Sequence, residues 1–311
     1  MASVIPESSA ARLERIMVGV DFSSESESAV LHAAQVARQK NARLILAHVL
    51  PLPADLVEDS SYDPFFRAQE AATELGTRHR NEAGDLLLAT AARCEALGVQ
   101  CETLLIDDNP SDGLARAADE VGADLLVVGT QGRTGLKRFL LGSVAERTVR
   151  LASVNTLVAR GPIEEVSGYR RIMVATDFSA ASDAALAVAL AIATPDARIE
   201  AVHAWLTRAT PTGVTVAPVR DELERAVVKR GERFLQDRAG ASPRVSFVPL
   251  EASAADGICR RAEQDGTDLI VAGSHGRRGV RRLLLGSVAE TVVRHAPCSV
   301  LVVHPLAPAA R

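Results

Sequence analysis

The chain says nearly everything twice, and that repetition limits what it can fold into more than any other property. Arg15-Ile-Met-Val-Gly-Val-Asp-Phe-Ser23 returns as Arg171-Ile-Met-Val-Ala-Thr-Asp-Phe-Ser179. Leu125-Leu-Val-Val-Gly129 returns as Leu269-Ile-Val-Ala-Gly273, and the run Leu140 to Glu146 recurs unchanged as Leu284 to Glu290. The repeat carries through to the ends of the copies, where Thr156 to Ala159 answers Val300 to Val303. Two such copies in 311 residues predict two domains of ordinary size. We place them at residues 1–160 and 169–311, joined by a linker over 161–168 whose Gly-Pro start and closing Gly are turn chemistry. The first copy carries extra residues between its second strand and its glycines, in a stretch with a long helical pattern.

Each copy opens on a short apolar run, Ile16 to Val20 or Ile172 to Thr176, flanked by polar residues. Such a run suits a strand buried on both faces. Helical stretches then alternate with further runs of this kind. Ser23 and Ser179 stand where they can cap the first helix of each copy. Strand–helix alternation predicts two tandem open parallel sheets with helices on both faces, an α/β, Rossmann-like arrangement. In such sheets ligands bind at the strands' carboxyl ends where the strand order reverses. The leucines Leu86, Leu87, Leu88 and Leu97 read as core of the long helix.

Composition removes several functions. A net charge of -4 and an aromatic content of 3% give no basic field and no stacking platform for nucleic acid. No apolar run is long enough to span a bilayer, so no membrane partner is expected. The first fifteen residues lack the apolar stretch of a secretory signal, and the four cysteines show no metal-ligand spacing. The expected location is the cytoplasm.

The chemistry is concentrated in the glycines. Gly129-Thr-Gln-Gly132 is followed by nine residues and Gly142-Ser143; Gly273-Ser-His-Gly276 is followed by nine and Gly286-Ser287. A glycine ending a strand allows a sharp turn and close approach of a ligand to the backbone. The last glycine precedes a helix start, where free N–H groups and the dipole favour an anion. Ser143 and Ser287 add a hydroxyl. These parts describe a phosphate cradle without a P-loop lysine. Arg133 and Arg277 directly follow the second glycine and are the best placed of the loop cations to meet phosphate charge. Asp21 and Asp177 end the first strand. There a carboxylate suits a nucleoside hydroxyl or amino group, a phosphate-held metal, or simply the cap of the next helix. His48 and His203 occupy matching places on the second strands and read as structural.

The two copies resemble universal stress protein domains of the ATP-binding branch. The glycine spacing, the Asp-Phe-Ser after the first strand and the closing Ala296-Pro-Cys-Ser-Val-Leu-Val-Val303 carry the resemblance over nearly the whole chain. It implies a five-stranded sheet per copy, ATP between the first and fourth strands, and dimer contact through the last strand. Carried over by position, Asp21 and Asp177 face the nucleoside, and Val49 and Ala204 lie near the adenine. Gly129, Gly132, Gly142, Ser143 and Val144 hold ribose and phosphates, as do Gly273, Gly276, Gly286, Ser287 and Val288. Mg²⁺ would come with the phosphates. The reading that follows is a nucleotide-dependent regulatory or stress-adaptation protein whose two halves pack as a pseudo-dimer, with a homodimer left open. The alternatives are a slow Mg-dependent ATPase or phosphotransferase, and a nucleotide-free interaction module. No general base recurs beside the glycines, and no P-loop, G-x-G-x-x-G or nucleophile elbow is present.

Overall fold

The computed structural model describes residues 13–50, 63–130, 141–161, 168–206, 217–239, 242–276 and 285–304, with the side chains of 63–75 and 217–218 left aside. The first half runs β1 (Arg15–Gly19), α1 (Ser24–Lys40), β2 (Arg43–Leu50), α2 (Asp63–Ala96), β3 (Cys101–Asp107), α3 (Pro110–Glu120), β4 (Leu125–Gly129), α4 (Ser143–Leu151) and β5 (Asn155–Ala159). The second repeats it as β6 (Arg171–Ala175), α5 (Ala180–Ile192), β7 (Arg198–Trp205), α6 (Ala217–Ala239), β8 (Val245–Glu251), α7 (Ala254–Gln264), β9 (Leu269–Gly273), α8 (Ser287–His295) and β10 (Ser299–Val303). The extra length of the first copy resides largely in α2, 34 residues against 23 in α6.

Alternation along the strands builds the layers. Ile16 and Val18 pack into the core under α1 and α2, while Met17 faces the core under α3 and α4. The central strands are buried on both faces and read as unbroken apolar runs. Ser23 and Ser179 cap α1 and α5, each accepting from the N–H three residues on, of Ser26 and Ser182. The leucine stripe is narrower than its sequence suggests. Leu87 is fully buried, but Leu86 is 49% and Leu88 60% exposed. Neighbours on a helix point about 100° apart, so three consecutive leucines cannot share one buried face.

Within each half the parallel order places the first strand beside the fourth, β3-β2-β1-β4-β5 and its mirror, so the order reverses between β1 and β4 and between β6 and β9. The halves do not form separate sheets. β5 and β10 pair antiparallel, Leu157 opposite Leu301 and Val158 opposite Val300, making one ten-stranded sheet. This covers the β5 and β10 edges and leaves β3 and β8 at the ends of the sheet.

Flanking contacts follow the same pseudo-twofold relation. The Arg160 N–H donates to Ser299 Oγ at 3.0 Å, and the His304 N–H to Asn155 Oδ1 at 3.0 Å. Arg150 reaches Glu290 at 2.7 Å and Arg294 reaches Glu146 at 2.6 Å, tying α4 to α8. On the other face the buried Tyr169 hydroxyl lies 2.7 Å from His32 Nδ1, and His32 Nε2 lies 3.1 Å from the Gly161 carbonyl oxygen.

This junction makes stability depend on pH. Burial, followed by the nearby His275, pushes His304 down to about 4, and its Nε2 has no hydrogen-bond partner. The unfolded chain takes up that proton near pH 6.5, whereas folded His304 does not until about pH 4. The folded state therefore holds fewer protons in this window. Stability present above the unfolded value is lost as pH falls toward the folded one, by up to about 3 kcal/mol. Buried His32, also held low, acts in the same direction. Urea unfolding across the window is expected to show the decline, with His304→Asn flattening part of it; identical curves for the two proteins would remove His304 from the account.

Candidate functional site

Two clefts lie at the carboxyl ends of the strands, one in each half, at the reversals of strand order. The first, about 370 Å³, is lined by Asp21, Val49, Gly129, Gly142, Ser143 and Val144 among others. The second, about 610 Å³, is lined by Asp177, Ala204, Gly273, Gly276, Gly286, Ser287 and Val288 among others. Both volumes suit a bound small molecule. Of the residues singled out in the sequence, Gly132, Arg133 and Arg277 lie outside the described residues.

Each cleft is built from an acidic turn and a glycine turn facing each other across the strand ends. In the acidic turn, Asp21 Oδ1 accepts from the Ser23 N–H at 3.0 Å and the Ser23 hydroxyl at 2.5 Å. Asp177 Oδ1 accepts from the Ser179 N–H at 3.1 Å and the Ser182 hydroxyl at 2.7 Å. The carboxylate therefore shapes the strand-to-helix turn as well as lining the cleft. The intervening Phe22 and Phe178 both adopt φ of 63°, a left-handed conformation that a bulky residue rarely takes. Packing holds them there: Phe22 lies 4.7 Å from the His48 ring and Phe178 4.5 Å from the His203 ring. The two histidines are anchored in turn, Nδ1 of His48 to the Val20 carbonyl at 2.6 Å and Nδ1 of His203 to the Thr176 carbonyl at 2.7 Å. They stitch the second strand to the turn, as structural residues, and also line the clefts.

The glycine turn supplies main-chain donors. Gly142 and Gly286 are the N-caps of α4 and α8, and neither helix start receives a side-chain cap. Their own N–H groups close the turn on the Thr130 and Ser274 carbonyls, both at 2.7 Å. The N–H groups of the first helical turn have no intrahelical acceptor and are left for a ligand. Ser143 and Ser287 stand at that turn, with the exposed apolar side chains of Val144 and Val288 beside them. Gly129 and Gly273 have a tighter reason to be glycine than ligand approach. A β-carbon on Gly129 would lie 2.9 Å from the Glu25 carbonyl oxygen; on Gly273 it would lie 2.7 Å from Ala181 Cβ and 3.0 Å from its carbonyl carbon. The strand end thus sits directly against the first turn of α1 or α5, which brings the acidic turn beside the glycine turn.

Sequence reasoning passed over several lining residues: Ser26 and Ser182 under the carboxylates, and Leu114 and Ile258 on the far wall. The serines recur in register after Asp-Phe-Ser, a signal that was available. The far wall comes from α3 and α7, and no local pattern announces it.

The fold and its paired clefts define a tandem α/β protein with one cleft per half at the switch point of the sheet. The universal stress protein family matches residues 12–160 and again 168–304. A universal stress protein of Mycolicibacterium smegmatis is 30% identical over 298 residues, 93% of this chain and 97% of that one. One from Mycobacterium tuberculosis is 30% identical over 300 residues, 92% and 96% of the two chains. The chain belongs to the universal stress protein family, in its tandem form. The crystal structure of a universal stress protein from Archaeoglobus fulgidus shares the fold across 94% of this chain and 98% of that one, with a TM-score of 0.59 at 20% identity. Among the described residues no helix is long and apolar enough to cross a membrane, and no cluster of three or more metal-ligating side chains occurs.

Proposed function

We propose that each half binds an adenine nucleotide, ATP in the first instance, and that the protein acts as a nucleotide-dependent regulator rather than an enzyme. The observation that carries this is the uncapped start of α4 and α8 opposite the Asp21 and Asp177 turns, repeated in both clefts. The free N–H groups of the helix start, with Ser143 or Ser287, suit the phosphates. The carboxylate suits the ribose hydroxyls, and the apolar strand ends at Val49 and Ala204 suit the adenine. A Mg²⁺ ion would be held mainly by the phosphates, since the described lining offers one carboxylate per cleft. In this reading ATP stabilises one conformation or assembly by linkage, in the cytoplasm, with the domains divided at residues 161–168.

Protein purified without added nucleotide should release an adenine nucleotide on denaturation, identified by mass spectrometry. Added ATP should raise Tm; at about one hundred times Kd each site contributes about 2.7 kcal/mol. Phosphate release should be negligible over the same period. Steady turnover would favour the ATPase reading, and an unchanged Tm with no co-purified nucleotide would favour the interaction module.

A further inference from the structure

The two clefts differ in size and shape. The first holds about 370 Å³ and the second about 610 Å³, although matching turns bound them. Substitutions at the strand ends remodel the walls. The floor is a row across three strands: Gly19, Ala47 and Val128 in the first cleft, Ala175, Val202 and Ala272 in the second. In that row the valine moves from the fourth strand to the second, so bulk is shifted rather than lost.

One layer nearer the mouth, bulk is lost. Val49 and Pro110 line the first cleft where Ala204 and Ala254 line the second. In the first half Val49 closes the corner between β2 and α3. Its Cγ1 lies 3.4 Å from where a β-carbon on Gly113 would stand, in the first turn of that helix. At the matching Gly257 the nearest side chains are those of Ala252 and Leu250. The corner between β7 and α7 is therefore open, and its walls at Ala204, Ala254 and Ile258 are apolar. The carboxylate of this cleft, Asp177, belongs to the acidic turn after β6. An open apolar corner suits an apolar group of the ligand.

We propose that the second cleft takes a nucleotide whose base carries a bulky apolar substituent and that the first cleft rejects it, with Ala204 and Ala254 as the specificity-determining residues. This inference rests on the nucleotide reading above, in which the base lies against Val49 or Ala204. In the first cleft valine and proline occupy the space the substituent needs, and both are carried on a strand end and a helix start that do not swing aside. Pro110 opens its helix, a position where proline is at home, so the exchange between halves leaves the helix start intact. The chain then carries one site of ordinary adenine-nucleotide selectivity and one that answers to a modified base.

The test is calorimetry of the full chain with ATP, N6-benzyl-ATP and 2-methylthio-ATP. ATP is expected to bind at two sites and at least one of the analogues at a single site. In the double variant Ala204→Val and Ala254→Pro, the affinity of that analogue relative to ATP should fall about tenfold or more, the discrimination an apolar pocket makes for a methylene or two. The reciprocal pair, Val49→Ala and Pro110→Ala, should raise the stoichiometry of the analogue to two. This gain is read even where the first pair fails to fold. The proposal is overturned if ATP binds at two sites while both analogues bind at two or at none, or if neither pair of substitutions changes the ratio. Binding of ATP at no site would sink the nucleotide reading and this one with it, so the two failures are told apart by ATP alone.

Discussion

Gly273→Val is expected to destabilise the second half by about 1–3 kcal/mol and to lower the ATP stoichiometry of the chain from two to one. The β-carbon alone would stand 2.7 Å from Ala181 Cβ and 3.0 Å from main chain. A main-chain neighbour cannot rotate away, so the start of α5 must move as a unit. Because Asp177 and its serine partners lie at that start, the displacement separates the acidic turn from the glycine turn. The first cleft is an internal control, since Gly129 meets Glu25 in its own half. Calorimetric stoichiometry and urea unfolding measure the two parts of the effect. A valine variant that still binds two nucleotides with unchanged affinity would show that the glycine turn does not set the cleft.

The second large effect is expected from Asp21→Asn and Asp177→Asn. Asparagine retains one carbonyl oxygen, so the Ser23 and Ser179 N–H groups keep an acceptor and the turn stays formed. What changes is the negative charge and the second oxygen presented to the cleft. A hydrogen bond to a charged group is worth about 1.5–3 kcal/mol, so each substitution should weaken ATP about ten- to hundredfold in its own half. Tm without nucleotide should change little. Undiminished affinity in both variants, by calorimetry, would reduce the carboxylates to turn-formers, the alternative the sequence itself raised.

The clefts were legible because their parts are local and occur twice. A carboxylate after an apolar strand, a serine two residues on, and a glycine directly before a helix are each read within a few residues. Their physical consequences, a cap and an uncapped helix start, follow from backbone geometry alone. The close contact of Gly273 with Ala181 was not legible in the same way. The spacing marked the glycine but pointed to a ligand, while the nearest neighbour proved to be a helix far off in the chain. Phe22 and Phe178 are not residues that announce a left-handed backbone; the carboxylate bonds that span them and their packing on the histidine rings hold it.

The sequence by itself determined two copies, the alternation of strands and helices within each, the helix starts, and the placing of both clefts at strand ends. These rest on periodicity and capping, which act between near neighbours. Tertiary structure alone decided that β5 and β10 join ten strands into one sheet, that Leu86 and Leu88 face outward beside buried Leu87, and that burial leaves His304 neutral at the junction. Each of these depends on residues distant along the chain coming together and excluding water, and desolvation has no period for a sequence to display.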